Sequence, residues 1–352
     1  MHDDDKNAYL LGFASTQQKI PEREEALPID PDRAQIPLTG LMVDAGTDLS
    51  GTMAADRRVR ILPLTIQWPG RTLLDKGTAE VRTVSRQLSH ERIRSAEVSA
   101  PSVEALSYRM HPHLALNFDR LLLLATHPAL VEASRSVEQM FKDHQDEITH
   151  LRRERHLRPD YALEVINTRS LLSGPALQAR LLLNSPEMRM GDIPGLRRLA
   201  QTLADQTEVW LAPGHPADVA FTLGRLEHPD LSPWVQACST RLTQIMHRYP
   251  VLSCKAGAFG LEARTSKWKS AASRVIDAAA QAIWTNALAA PVIQLSFDGS
   301  IRELRDWPEM QALKKMAAEN EVKLHVTHMS LGGRVWASAQ SLSLAMLRKP
   351  AG

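Results

Sequence analysis

The side chains best placed to do chemistry are short hydroxyls and one acid that follow apolar runs. They are Thr47, Ser99, Ser102, Thr126, Ser134, Thr168 and Ser170, with Asp44 closing Leu41-Met42-Val43. A hydroxyl becomes a nucleophile only beside a base that takes its proton, and none of these sits in a Gly-x-Ser-x-Gly elbow with triad partners to follow. Without a base, such groups cap helices or hydrogen-bond a bound polar group. The histidines form no metal set either. His111-Pro112-His113 has no acidic or cysteine partner at ligand spacing, and His325 and His328, three apart on one strand, point to opposite faces. His328 stands at a strand tip, as a turn histidine or a ligand-facing one. The Ser330-Leu331-Gly332-Gly333-Arg334 segment that follows lacks the Gly-x-Gly-x-x-Gly spacing and a Walker lysine, so it reads as a backbone turn. Asp44 and His328 could serve as an acid/base pair only if folding brings them together. The residues describe a binder more than a catalyst.

Four apolar runs must position these groups: Leu41 to Asp44, Ile61 to Ile66, Leu121 to Thr126 and Leu163 to Thr168. Separated by helix-like stretches, they read as buried strands of a parallel sheet, where ligands sit beyond the carboxyl ends. Helices are expected over Val81–Leu88, Ser102–Tyr108, Pro128–Phe141 and Ser170–Leu183. The charge-rich continuation to Pro159 reads as a solvated helix face, with a docking surface for an acidic partner as the alternative. A second unit then shows strands at Thr207–Leu211, Val251–Lys255, Val292–Phe297 and Val322–Val326. Its clearest helix spans Thr265–Leu288, with Thr265 or Ser266 able to cap it; others are expected at Ile193–Leu203, Pro216–Leu226 and Pro308–Ala318.

At 352 residues, the chain is long for one core. We expect an N-terminal arm over 1–36, an α/β domain over 37–185 and a smaller α/β domain over 186–352. The balance of 42 basic against 40 acidic residues gives no reason to expect nucleic acid as a partner. Two cysteines outside any paired spacing, with no secretory signal and no run long enough to insert in a membrane, suit a protein of the cytoplasm. No cofactor and no metal is expected.

In order and texture, these segments resemble the DegV family of bacterial lipid-binding proteins. Leu41-Met42-Val43-Asp44-Ala45-Gly46-Thr47-Asp48-Leu49 is similar to that family's opening strand, which runs into Asp-Ser-x-x-Asp-Leu. Ile61-Leu62-Pro63-Leu64-Thr65-Ile66, with Gly70 and Asp75, resembles its Val-x-Pro-Leu-x-Val strand, and Val98-Ser99-Ala100-Pro101-Ser102 its Thr-Ser-x-Pro-Ser. Glu164 to Ser170 with Gly174 resembles a Val-Ile-Asp-Ser segment, and Pro250 to Gly257 a Pro-Ile-Leu strand before Asp-Gly. His328-Met329-Ser330-Leu331-Gly332 resembles a His-x-Gly-Pro-Gly turn.

The resemblance implies an α/β fold of two domains, the first a three-layer unit on a parallel sheet. It implies a long-chain fatty acid or similar lipid bound noncovalently between them as the only small molecule, with no chemistry by this chain. A kinase that phosphorylates the acyl carboxylate, or another protein, would be the partner. The site would comprise Asp44, Val98, Ser99, Thr126, Ala129, Ser134 and His328. Val98 and Ala129 stand where the family has Thr and Ser hydroxyls against the carboxylate, a loss worth roughly 1.5–3 kcal/mol each if a charged group still binds there. An interaction protein that kept the fold and lost the pocket is the alternative.

Overall fold

Leu41, Met42 and Val43 are fully buried, and so are Leu121 to Leu124, because the strands that carry them lie at the centre of a parallel sheet covered on both faces. The computed structural model describes residues 38–77, 81, 88–239, 241 and 245–350, with the side chains of 108–113 left out. The expected arm over 1–36 and most of the expected helix over 81–88 lie outside the described residues.

The strands of the first half are β1 (Thr39–Asp44), β2 (Val59–Leu62), β3 (Leu64–Trp68), β4 (Arg71–Asp75), β5 (Glu97–Ser99), β6 (Arg120–Ala125) and β7 (Ala162–Asn167). β2, β1, β6 and β7 form the parallel sheet in that order, with Leu41 level with Val59 on one side and Leu122 on the other. The run from Ile61 to Ile66 is not one strand. It breaks at Pro63, which has no N–H for a ladder, and β3 leaves to form a small antiparallel sheet in the order β4-β3-β5. The helix that opens at Ser102 continues through Val103–Asn117, carrying the backbone of His111 and His113.

The charged stretch is two helices, Ala133–Asp143 and Gln145–Glu154, meeting at His144. One of its arginines is not solvated. Arg152 is fully buried, donates to the carbonyls of Ala115, Phe118 and Arg158, each at 2.6 Å, and pairs with Asp119 at 2.5 Å.

In the second half, β8 (Thr207–Ala212), β9 (Tyr249–Lys255), β10 (Ala258–Thr265), β11 (Leu288–Phe297), β12 (Lys323–His328) and β13 (Leu342–Arg348) form a sheet in the order β10-β9-β8-β13-β11-β12. Only β11 and β12 run parallel; the other neighbours are antiparallel. Along β13, Leu342, Leu344 and Met346 face a core closed by the Trp268–Trp284 helix. Ser343, Ala345 and Leu347 face the opposite way, as a strand's period of two requires. That long helix starts later than expected. Its first flanking residue is Lys267, without a side-chain cap, while Thr265 Oγ1 donates to the Lys267 carbonyl at 2.9 Å.

The Ser173–Leu183 helix holds the two sheets together. It packs on β1 and β6 and also on β8, β11 and β13, and is buried along nearly its whole length. Ser173 and Ser343 share a hydrogen bond of 2.7 Å, and Gln178 Nε2 donates to Thr207 Oγ1 and to the Thr168 carbonyl, both at 2.9 Å. A Cβ on Gly174 would stand 1.8 Å from Ser170 Oγ and 2.8 Å from Val209 Cγ2, so glycine permits this approach. Among the described residues, no helix is long and apolar enough to cross a membrane.

Candidate functional site

The carboxyl ends of β1 and β6 meet the carboxyl ends of β11 and β12 across a seam. At its first corner, Asp44 is fully buried and its oxygens accept from Thr126 N–H at 2.6 Å, Thr126 Oγ1 at 2.8 Å and Gly46 N–H at 3.1 Å. Burial pushes the Asp44 carboxyl above its ordinary range, and the hydrogen bonds from Thr126 and Gly46 act in the opposite sense. Asp44 thereby ties the tips of β1 and β6, and both its oxygens are engaged.

Asp48, four residues on, reaches across the seam. It accepts from Ser296 Oγ at 2.5 Å, on β11, and from Ser330 N–H at 2.7 Å, just past β12. Desolvation pushes the Asp48 carboxyl up to about 6, against the hydrogen bonds from Ser296 and Ser330. Ser330 Oγ in turn donates to the Gly46 carbonyl at 2.8 Å and accepts from Gly333 N–H at 3.0 Å. The glycine segment expected as a turn is therefore a helix, Leu331–Ala337, capped by Ser330. Its glycines let two backbones touch. A Cβ on Gly332 would stand 3.2 Å from Gly46 Cα, and one on Gly46 would strike the buried Trp336 ring at 2.5 Å.

Between these corners lies a cavity of about 20 Å³. Ala45, Leu49, Ile61, Val81 and Leu331 give it apolar walls, and Asp44, Thr47, Asp48, Asp75, His328 and Ser330 give it polar ones. As it stands, that volume suits a water molecule.

The expected site residues divide. Asp44 and His328 line this cavity, and Thr126 is held to it through Asp44. Val98 and Ala129 are buried among core side chains and do not line it. Ser99 is exposed on β5 opposite Thr65, and Ser134 is half-buried on the Ala133–Asp143 helix. Sequence reasoning did not select Asp48, Ser296 and Ser330, which carry the seam. The Asp44-to-Asp48 spacing was the available signal, but Ser296 lies 248 residues further along the chain.

His127, beside Thr126, also went unselected. Its Nδ1 accepts from Ala129 N–H at 3.2 Å, and burial lowers its pKa. Among the described residues, the acids around the cavity do not converge with His328 into a metal-ligand group.

No protein-family model and no curated protein sequence matches the chain. Solved structures do. A Streptococcus pneumoniae fatty acid kinase B3 protein loaded with linoleic acid superposes with a TM-score of 0.65 at 13% identity, over 88% of this chain and 99% of that one. A stearic acid-binding protein from Eubacterium ventriosum gives 0.65 at 15% identity, over 88% and 98%. A fatty-acid-binding DegV family protein from Thermus thermophilus gives 0.62 at 15%, over 88% and 99%. At such identities the likeness establishes architecture, and it runs the full length of each of these proteins. The α/β arrangement of a parallel sheet and a mixed sheet joined across a seam of strand tips is the DegV fold.

Proposed function

We propose that this chain binds a long-chain fatty acid or similar lipid noncovalently in the seam between its two sheets and performs no chemistry on it. The observation that carries this reading is the full-length likeness to a protein loaded with linoleic acid and to a stearic acid-binding protein, combined with a seam here that is lined by both apolar and polar side chains. His328, Thr47 and Ser330 are the groups we assign to the head group, and Leu49, Ile61, Val81 and Leu331 to the chain. Asp44 and Thr126 then fix the wall rather than touch the ligand. Val98, Ser99, Ala129 and Ser134 do not line the cavity, and we assign them no contact with the head group.

Each buried methylene contributes about 0.8 kcal/mol, so a chain of some sixteen gains about 13 kcal/mol gross. That gain must offset the parting of Leu49, Ile61, Val81 and Leu331. A lipid needs a pocket in the usual range of about 300–1,000 Å³. A separate kinase acting on the acyl carboxylate is the partner such a carrier would serve, and the cytoplasm is the compartment we assign; both buried thiols, Cys238 and Cys254, are free.

The cavity of about 20 Å³ favours a second reading, an interaction protein with its pocket closed. Thermal melts separate the two. Stearate should raise the Tm of the parent protein, and Leu49→Trp, which fills the seam, should abolish that rise while the protein stays folded. No shift in the parent, at stearate concentrations below its aggregation, would favour the closed pocket.

A further inference from the structure

A different cluster, away from the cavity, has the composition of a transition-metal site. His90 opens the short His90–Ser95 helix, which leads into β5. His215 and Asp218 come from the other half of the molecule, after β8. His215 flanks the Pro216–Gly224 helix and Asp218 lies in its first turn, so the spacing of three places both on one face. The ligand atoms of all three residues lie within 4.8 Å of one another, and the two imidazole rings are 4.2 Å apart, centroid to centroid.

The surroundings fix the ligands. The loop before the helix is held by His215 N–H donating to Ser338 Oγ and Gly214 N–H donating to Ser341 Oγ, both at 2.9 Å. The Asp218 side chain is 9% exposed, and its Oδ1 faces Arg94 Nε at 3.5 Å. Its Oδ2 contacts His90 Nε2. A buried carboxylate and two imidazoles that converge in this way offer three ligand atoms to one cation. The first turn of a helix disfavours a cation, and the Asp218 charge opposes that effect. The His90 side chain is 42% exposed, which leaves a path for entry and a side open to water.

We propose that His90, His215 and Asp218 bind one divalent transition-metal ion of the zinc type, with water completing the coordination, and that the ion links the two halves of the chain. Two imidazoles and one carboxylate suit zinc, cobalt or nickel, whereas magnesium and calcium prefer all-oxygen sites. Arg94, in ion-pair contact with the other carboxylate oxygen at 3.5 Å, stands where an outer-shell partner would orient the acid.

The test uses the full chain stripped with chelator and titrated with zinc by calorimetry, and with cobalt by visible absorption. One equivalent of zinc should bind, and cobalt should give the intense bands of a low-coordinate N/O site. His215→Ala and Asp218→Asn should each weaken zinc binding by at least the ~10–100-fold that loss of an outer-shell partner costs. His90→Gln, at a half-exposed position, keeps the experiment decisive if either of those unfolds. It should lose zinc binding and the zinc-induced rise in Tm while the metal-free protein still folds. Equal zinc affinity in parent and His90→Gln, or a cobalt spectrum that stays that of the aqueous ion, would overturn the site.

Discussion

Single residues at the seam carry charge where the fold excludes water, and their energetics can be read by pH. Asp48 has an ordinary value of 3.8 and is held at about 6, so the native state keeps a proton that the unfolded chain has released. Its contribution to stability is full below pH 3.8 and is lost as pH rises through 6. Between pH 4 and 7 the parent should lose roughly 2 kcal/mol relative to Asp48→Asn, as measured by urea unfolding. Parallel profiles for the two proteins would refute this. Arg152 gives a second expectation. Removing its guanidinium strands Asp119 and three carbonyls, so Arg152→Ala should cost about 3–5 kcal/mol, while its exposed neighbour Arg153→Ala should stay within about 0.5. Neither role was legible beforehand. Asp48 has its partners on strands from the far end of the chain, and Arg152 sits in a run of charges whose average property is solvation.

Strands and helices were legible where one face or both meet the core. β1, β6 and β8 announce themselves as apolar runs, and the Trp268–Trp284 helix as an alanine-rich stripe. The elements that escaped have their residues chosen by something other than burial. β10 is an edge strand with Glu262 and Arg264 on it, and β4 and β5 are short and half-exposed. In β13, Ser343 and Ala345 stand on the face turned to the Ser173–Leu183 helix, where Ser343 hydrogen-bonds Ser173, so no continuous apolar run marks the strand. The unity of Ile61 to Ile66 was misread because Pro63 ends one sheet and admits another. Gly174 tests the close approach of that helix. A methyl group there must displace Ser170 and Val209, so Gly174→Ala should destabilise by about 1–3 kcal/mol despite its better helix propensity. An unchanged midpoint of chemical denaturation would mean that the helix has room to shift.

For the molecule as a whole, the strand tips of two sheets face each other across a seam that Asp48, Ser296, Ser330 and Gly46 stitch together. The chain order of strands and tips made the DegV fold visible in the sequence through motifs that are individually short. The seam's closure was not visible, because it depends on Trp336 packing over Gly46 and on Leu331, Leu49 and Ile61 lining one small cavity, an arrangement of distant segments. Lipid binding requires those apolar walls to part. Native mass spectrometry of the freshly purified chain, before and after incubation with stearate, asks this directly. A lipid carrier should show the mass of one fatty acid, retained under gentle ionisation and removed by organic extraction. A bare polypeptide mass in both samples would contradict it and leave the fold serving as an interaction surface.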